Sequence, residues 1–93
     1  MDLPDKTMSM QSIQIGDIYE ILGKAILMGS QYTIMEAALR KSGNTGRLRT
    51  DELRLIFTIE GIHDQDAHKV AQSIGPKGIV ELAALDETLN RAR

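Results

Sequence analysis

No cysteine occurs among the 93 residues, so a disulfide framework and thiol chemistry are both excluded and the redox compartment is left open. Tryptophan is also absent, and the aromatic residues are only Tyr19, Tyr32 and Phe57. A core must therefore be built from Ile, Leu, Met, Val and Ala, which favours helices over a β-sandwich. Nowhere is there an apolar run of the ~18 residues that a membrane-spanning helix needs. The first residues, MDLPDK, are acidic and carry no apolar signal core, so the expectation is a cytoplasmic chain with no membrane span. A basic excess is missing too. The net charge is −2, from 11 basic and 13 acidic residues spread evenly along the chain, which argues against an electrostatic nucleic-acid binder.

What is present is helical periodicity interrupted by glycine turns. Length allows one domain with a single modest core. Residues 1–16 read as a flexible arm or, over Met8 to Ile15 with its alternating apolar residues, a short strand; residues 17–93 read as one helical domain. Ile18, Ile21, Ala25, Met28, Tyr32, Met35 and Leu39 step by three and four throughout, so one face is apolar across the whole stretch. Gly29-Ser30 breaks that stretch, and the Thr33 to Glu36 spacing of a capping box predicts two helices, about 17–28 and 33–41. Ile26, Leu27 and Ile34 fall off the stripe.

Lys41 to Leu53, KSGNTGRLRTDEL, is a polar turn followed by one apolar residue and a helix start, with Thr50 as candidate N-cap. Leu53, Ile56, Phe57 and Glu60 keep helical spacing to a stop at Gly61. Asp64 is a candidate N-cap for a helix to Ile74, whose apolar face is Ala67, Val70, Ala71 and Ile74. Gly75-Pro-Lys-Gly78 is a turn, Ile79 and Val80 are extended, and Leu82, Leu85 and Leu89 mark a last helix. The order repeats: Gly46-Arg-Leu48 with Leu53 aligns on Gly78-Ile-Val80 with Leu85, at a separation of 78 − 46 = 32 residues.

Helix, glycine turn, single apolar residue, helix, then a second such unit resembles a pair of EF-hands of the calmodulin and myosin light chain type. Gly46, Leu48 and Glu52 match that family's mid-loop glycine, cross-paired apolar residue and closing glutamate, and SGNTGRLRTDELR is similar to loop-to-helix segments of essential light chains. In the second unit Gly78 and Val80 match, while Ala84 stands where the glutamate belongs. The resemblance covers about residues 33–90. It implies an all-α fold: a small single domain of four to five helices, two helix-loop-helix units paired through a short extended contact at Leu48 and Val80, plus an N-terminal helix.

Calcium is not implied. Such a loop needs several closely spaced carboxylate or amide oxygens, yet the leading ligand positions hold Lys41, Gly43 and Thr45 in one loop and Ser73, Gly75 and Lys77 in the other. The expectation is therefore no metal and no cofactor. Calcium-free relatives of this kind grip an amphipathic helix of a larger protein in an apolar groove. Met35, Leu39, Leu53, Ile56, Phe57, Val70, Leu85 and Leu89 would line it here, although apolar residues at helical spacing are more often ordinary core. The preceding helix either fills that groove or extends its surface.

Catalysis has little support. His63 and His68 in HDQDAH are five apart rather than the i, i+4 of a helical zinc pair, and Asp64 and Asp66 suit a solvated helix start. GPKG lacks the order of a phosphate loop. Two alternatives stand beside the helix-binding module. A strand over 8–15 followed by two helices is the order of a dimeric ribbon-helix-helix DNA binder, with Arg40, Lys41, Arg47, Arg49 and Arg54 toward phosphates, but its ribbon has no Arg or Lys. A helical homodimer built on the 18–39 stripe, acting as a chaperone or adaptor, is the other.

Overall fold

The computed structural model describes residues 18–93. The arm or short strand expected within residues 1–16 lies outside the described residues. Residues 18–27 form a helix, α1. It is followed by α2 (Ser30–Ser42), β1 (Arg47–Arg49), α3 (Thr50–Ile59), α4 (Asp64–Ile74), β2 (Ile79–Glu81) and α5 (Leu82–Arg91). Among the described residues the fold is all-α apart from one antiparallel bridge, in which Leu48 pairs with Val80, Arg47 with Glu81 and Arg49 with Ile79. Both central side chains are buried and both flanking pairs are exposed, the alternation a strand imposes.

The 32-residue repeat is carried by the backbone. β1 and β2, α3 and α5, and the ends of α2 and α4 are each offset by that interval. Gly46 and Gly78 both have positive φ, 71° and 92°, which glycine adopts without steric cost. The two units are also bonded reciprocally: Thr50 N–H donates to Gly78 O at 3.0 Å and Leu82 N–H donates to Gly46 O at 2.9 Å. Leu53 with Leu85, and Phe57 with Leu89, are equivalent pairs inside one core.

Gly29 sets the relation between α1 and α2. Its φ of 86° ends the first helix and opens the second, so two helices form where the stripe alone would allow one rod. The second starts at Ser30, earlier than the capping-box spacing predicted. Thr33 is inside its first turn, its hydroxyl within hydrogen-bond reach of Ser30 O at 2.9 Å and of Glu60 Oε1 at 2.7 Å. The break also rotates the phase of the second helix. Ser30, Ile34, Ala38 and Ser42 face the core, and Tyr32 and Leu39 face away from it, so the 18–39 stripe is not one buried face.

Two helix caps differ from expectation in the same way, each one residue early. Arg49 precedes α3, and the Glu52 carboxylate accepts from its backbone N–H at 2.9 Å, freeing the Thr50 hydroxyl to donate to Gly75 O at 2.6 Å. His63 caps α4, with Gln65 N–H donating to its Nδ1 at 3.3 Å, and Asp64 is the first helical residue. Elsewhere α4 buries Ala67, Val70 and Ala71 as the spacing requires, with Ile74 packed at the edge.

Candidate functional site

Two regions could carry function: the paired loops and the apolar faces of the helices. In the first loop Lys41 is an exposed helical residue. Thr45 is engaged by its own turn, its hydroxyl donating to Ser42 O at 2.8 Å and accepting from Arg47 N–H at 3.1 Å. The Glu52 carboxylate serves as the α3 cap. In the second loop the carbonyl of Gly75 takes the Thr50 hydroxyl. Across the bridge Arg47 Nε donates to Glu81 Oε2 at 3.0 Å. These residues do not fit a divalent cation: the loop oxygens that a hard ion would need are bonded within the protein, and cationic side chains stand at the rim. Among the described residues no three His, Cys, Asp or Glu side chains converge.

HDQDAH is a helix start and a tether. Arg54 of α3 grips Asp64 through two contacts, Nε to Oδ1 at 3.0 Å and Nη2 to Oδ2 at 2.8 Å. That hydrogen-bonded guanidinium holds the Asp64 carboxyl below its ordinary value, and Asp64 in turn raises Arg54. Such a fork joins the end of one unit to the start of the next with fixed geometry. Of the five cations grouped for phosphate contact, Arg40, Arg47 and Arg54 are paired with Glu36, Glu81 and Asp64.

Six of the eight residues expected to line a partner groove are inside the domain. Leu53, Ile56, Phe57, Val70, Leu85 and Leu89 are at most 4 % exposed, in one cluster with Leu22 and Ala25 of α1. They are corrected here from contact residues to core. The physical reason is α1, which occupies the crevice from within the chain. Ile18, Ile21 and Ile26 pack at the edge of the core, and a Cβ on Gly23 would stand 3.1 Å from Ala92 O at the end of α5. Tyr19 and Arg91 border one cleft together with Ile74, Ala84 and Thr88. Leu22 and Ile34 were missed as core because both sit off the stripe. The row Ser30, Ile34, Ala38, Ser42, four apart with small residues at three positions, was the available signal.

Met35 and Leu39 lie elsewhere, on the outer face of α2. Tyr32 is 73 % exposed and Leu39 55 %, with Met35 partly covered between them. At the head of this face Ile26, Gly29, Gln31, Tyr32 and Met35 border an open depression of about 430 Å³. Leu27 and Met28, both more than 80 % exposed, stand at the corner between α1 and α2. Tyr32 and Leu39, seven residues apart, are exposed on this face, and Met35 between them packs partly against the core. No helix among them is long and apolar enough to cross a membrane. No family model, curated protein or solved structure matches this chain.

Proposed function

We propose that the chain is a non-catalytic interaction module that binds an amphipathic helix of a larger protein without calcium. Its contact surface is the outer face of α2, built on Tyr32, Met35 and Leu39 and continued by the depression at Ile26 and Gly29. The observation that carries the reading is the division of labour between the two apolar faces. α1 already fills the inner crevice, while the outer row stays open to solvent. Contiguous exposed apolar side chains at helical spacing are how one helix offers itself to another.

Independence from calcium rests on the loops. Reciprocal backbone bonds and the Thr50 hydroxyl join the two units directly. The EF-hand resemblance is supported by the antiparallel Leu48 to Val80 bridge between two helix-loop-helix units.

The test is capture from a native extract by immobilised protein, with identification of what is bound. Calcium and chelator arms should give the same capture, and Leu39→Asp should lose it while keeping the wild-type circular dichroism. Capture that appears only with calcium, or that survives Leu39→Asp unchanged, overturns the proposal.

A further inference from the structure

The outer face of α2 has two complementary features at opposite ends. Toward its C-terminal end Leu39 projects, more than half exposed. Toward its N-terminal end lies the depression bordered by Ile26, Gly29, Gln31, Tyr32 and Met35, where Gly29 contributes no side chain and a Cβ there would meet nothing within 4 Å. A knob and a hole on one helix face, separated along its axis, are brought together by reversing a second copy of the same helix. Leu39 of each copy then faces the depression of the other, and Tyr32 lies across from Met35.

We propose that in the free protein a second copy of this chain covers this face, the two α2 helices packing antiparallel about a two-fold axis near residues 33 and 34. This deepens the functional reading, on which it rests for the choice of surface, by naming what occupies the surface before a larger partner does. Such a contact is isologous and closes at two subunits. The row Tyr32, Met35, Leu39 alternates steps of three and four, the spacing that seats side chains between those of a facing helix.

Charge does not oppose a second copy. The seam itself is uncharged, and the nearest charges, Glu36 and Arg40, neutralise each other within one copy at 3.5 Å. Area sets the strength. Met28, Tyr32 and Leu39, at 84, 73 and 55 % exposure, leave about 400 Å² open, taking roughly 200 Å² per large side chain. That is about half of the ~800 Å² per partner of a standard interface. A reversible dimer that dissociates on dilution is therefore expected.

Sedimentation equilibrium over a concentration series tests the proposal. The wild-type mass should climb from the 10.3 kDa of one chain toward twice that value. Tyr32→Glu and Leu39→Lys, both at exposed positions, should weaken self-association about tenfold or more. The chain has no cysteine to interfere with cross-linking. A Met35→Cys variant, close to the two-fold, should join copies with a short bis-maleimide. Leu39→Cys should not, because the two Leu39 positions lie roughly 16 Å apart along antiparallel helices of 1.5 Å rise.

A wild-type protein that stays monomeric at every concentration overturns the inference, as does a dimer indifferent to both surface substitutions. Cross-linking at Leu39 as efficient as at Met35 overturns the antiparallel arrangement. A monomer that still captures a helix through Leu39 overturns the self-pairing and leaves the functional proposal standing.

Discussion

Replacing Gly75 with alanine would put a methyl group where the two loops leave no room for one. A Cβ built there stands 2.6 Å from Ile79 O, Thr50 Oγ1 and Val80 Cγ2 alike. Gly75 has φ −128°, which alanine adopts readily, so the penalty is steric rather than conformational. Two of the three obstacles are hard to move. Ile79 O belongs to the bridge strand, and the Val80 side chain is fully buried opposite Leu48. Overpacking a close-packed site costs about 1–3 kcal/mol. The third obstacle is the hydroxyl that donates to Gly75 O, and displacing it forfeits a buried hydrogen bond of about 1 kcal/mol.

The sum is about 2–4 kcal/mol, against a total of about 5–14 kcal/mol for a domain of this length. In a domain of this size that lowers the melting temperature by about 10–25 °C. Thermal and urea unfolding followed by far-UV circular dichroism would measure it, with Lys77→Ala in the same turn as an exposed control. Because one obstacle is a removable hydroxyl, Thr50→Ala combined with Gly75→Ala should cost less than the two single changes added together. A Gly75→Ala protein within about 0.5 kcal/mol of wild type, the range of a surface change, would refute the close approach of the loops.

Phe57→Ala should destabilise the domain by about 3–5 kcal/mol, the cost of emptying a fully buried aromatic site, and Phe57→Asp would then abolish partner capture by unfolding rather than by marking a contact. Asp64 is held as a carboxylate more firmly in the folded state, so its contribution is present above the ordinary carboxylate range and is lost as pH falls through its lowered value. Wild type should therefore lose stability on acidification relative to Asp64→Asn, and parallel stability curves for the two would contradict the Arg54 fork. Millimolar calcium should leave the melting temperature unchanged, whereas a rise of several degrees would show a bound ion. Ile59→Lys, at a position 79 % exposed on α3, should change stability by less than about 0.5 kcal/mol in a denaturant titration.

The elements legible in the sequence are those with one strong local cause. Leu53, Ile56 and Phe57 on α3, Ala67, Val70 and Ala71 on α4, and Leu85 and Leu89 on α5 announce buried faces by spacing alone, and each is buried. Leu48 and Val80 were legible as partners because each stands two residues after a turn glycine, at the same interval as the repeat. Partner residues were less legible, since a core helix face and a docking face carry the same pattern. Only the docking of α1 decides between them. The phase of α2 was hidden for a related reason. The stripe runs unbroken through Gly29, and nothing in its spacing reveals that a left-handed glycine turns Ile34 inward and Tyr32 outward.

One contact at which the repeat departs from symmetry explains how the loops hold together. Thr50 and Leu82 occupy equivalent places, and each sends its backbone N–H to the opposite glycine. Thr50 alone has a hydroxyl to send further, into Gly75 O. The equivalent of Gly75 is Gly43, which receives no such bond and sits at φ 59°, in contrast to the −128° of Gly75. The second loop is therefore pinned inward by a side chain of the first, while the first turns on its own Ser42 and Thr45 bonds. In a loop closed around an ion, the ion would supply that inward pull to both halves. Here one protein hydrogen bond and a residue without a Cβ supply it to one half. The bridge is thus expected to stay closed at any ion concentration, and Thr50→Val, which keeps the shape and removes the hydroxyl, should loosen the second loop selectively. Amide hydrogen exchange at Gly78, which donates to Gly75 O at 3.2 Å, should then accelerate more than exchange at Thr45 in the first loop. Equal acceleration at both amides would mean that the loops open as one unit and that the Thr50 hydroxyl has no special part in holding the second.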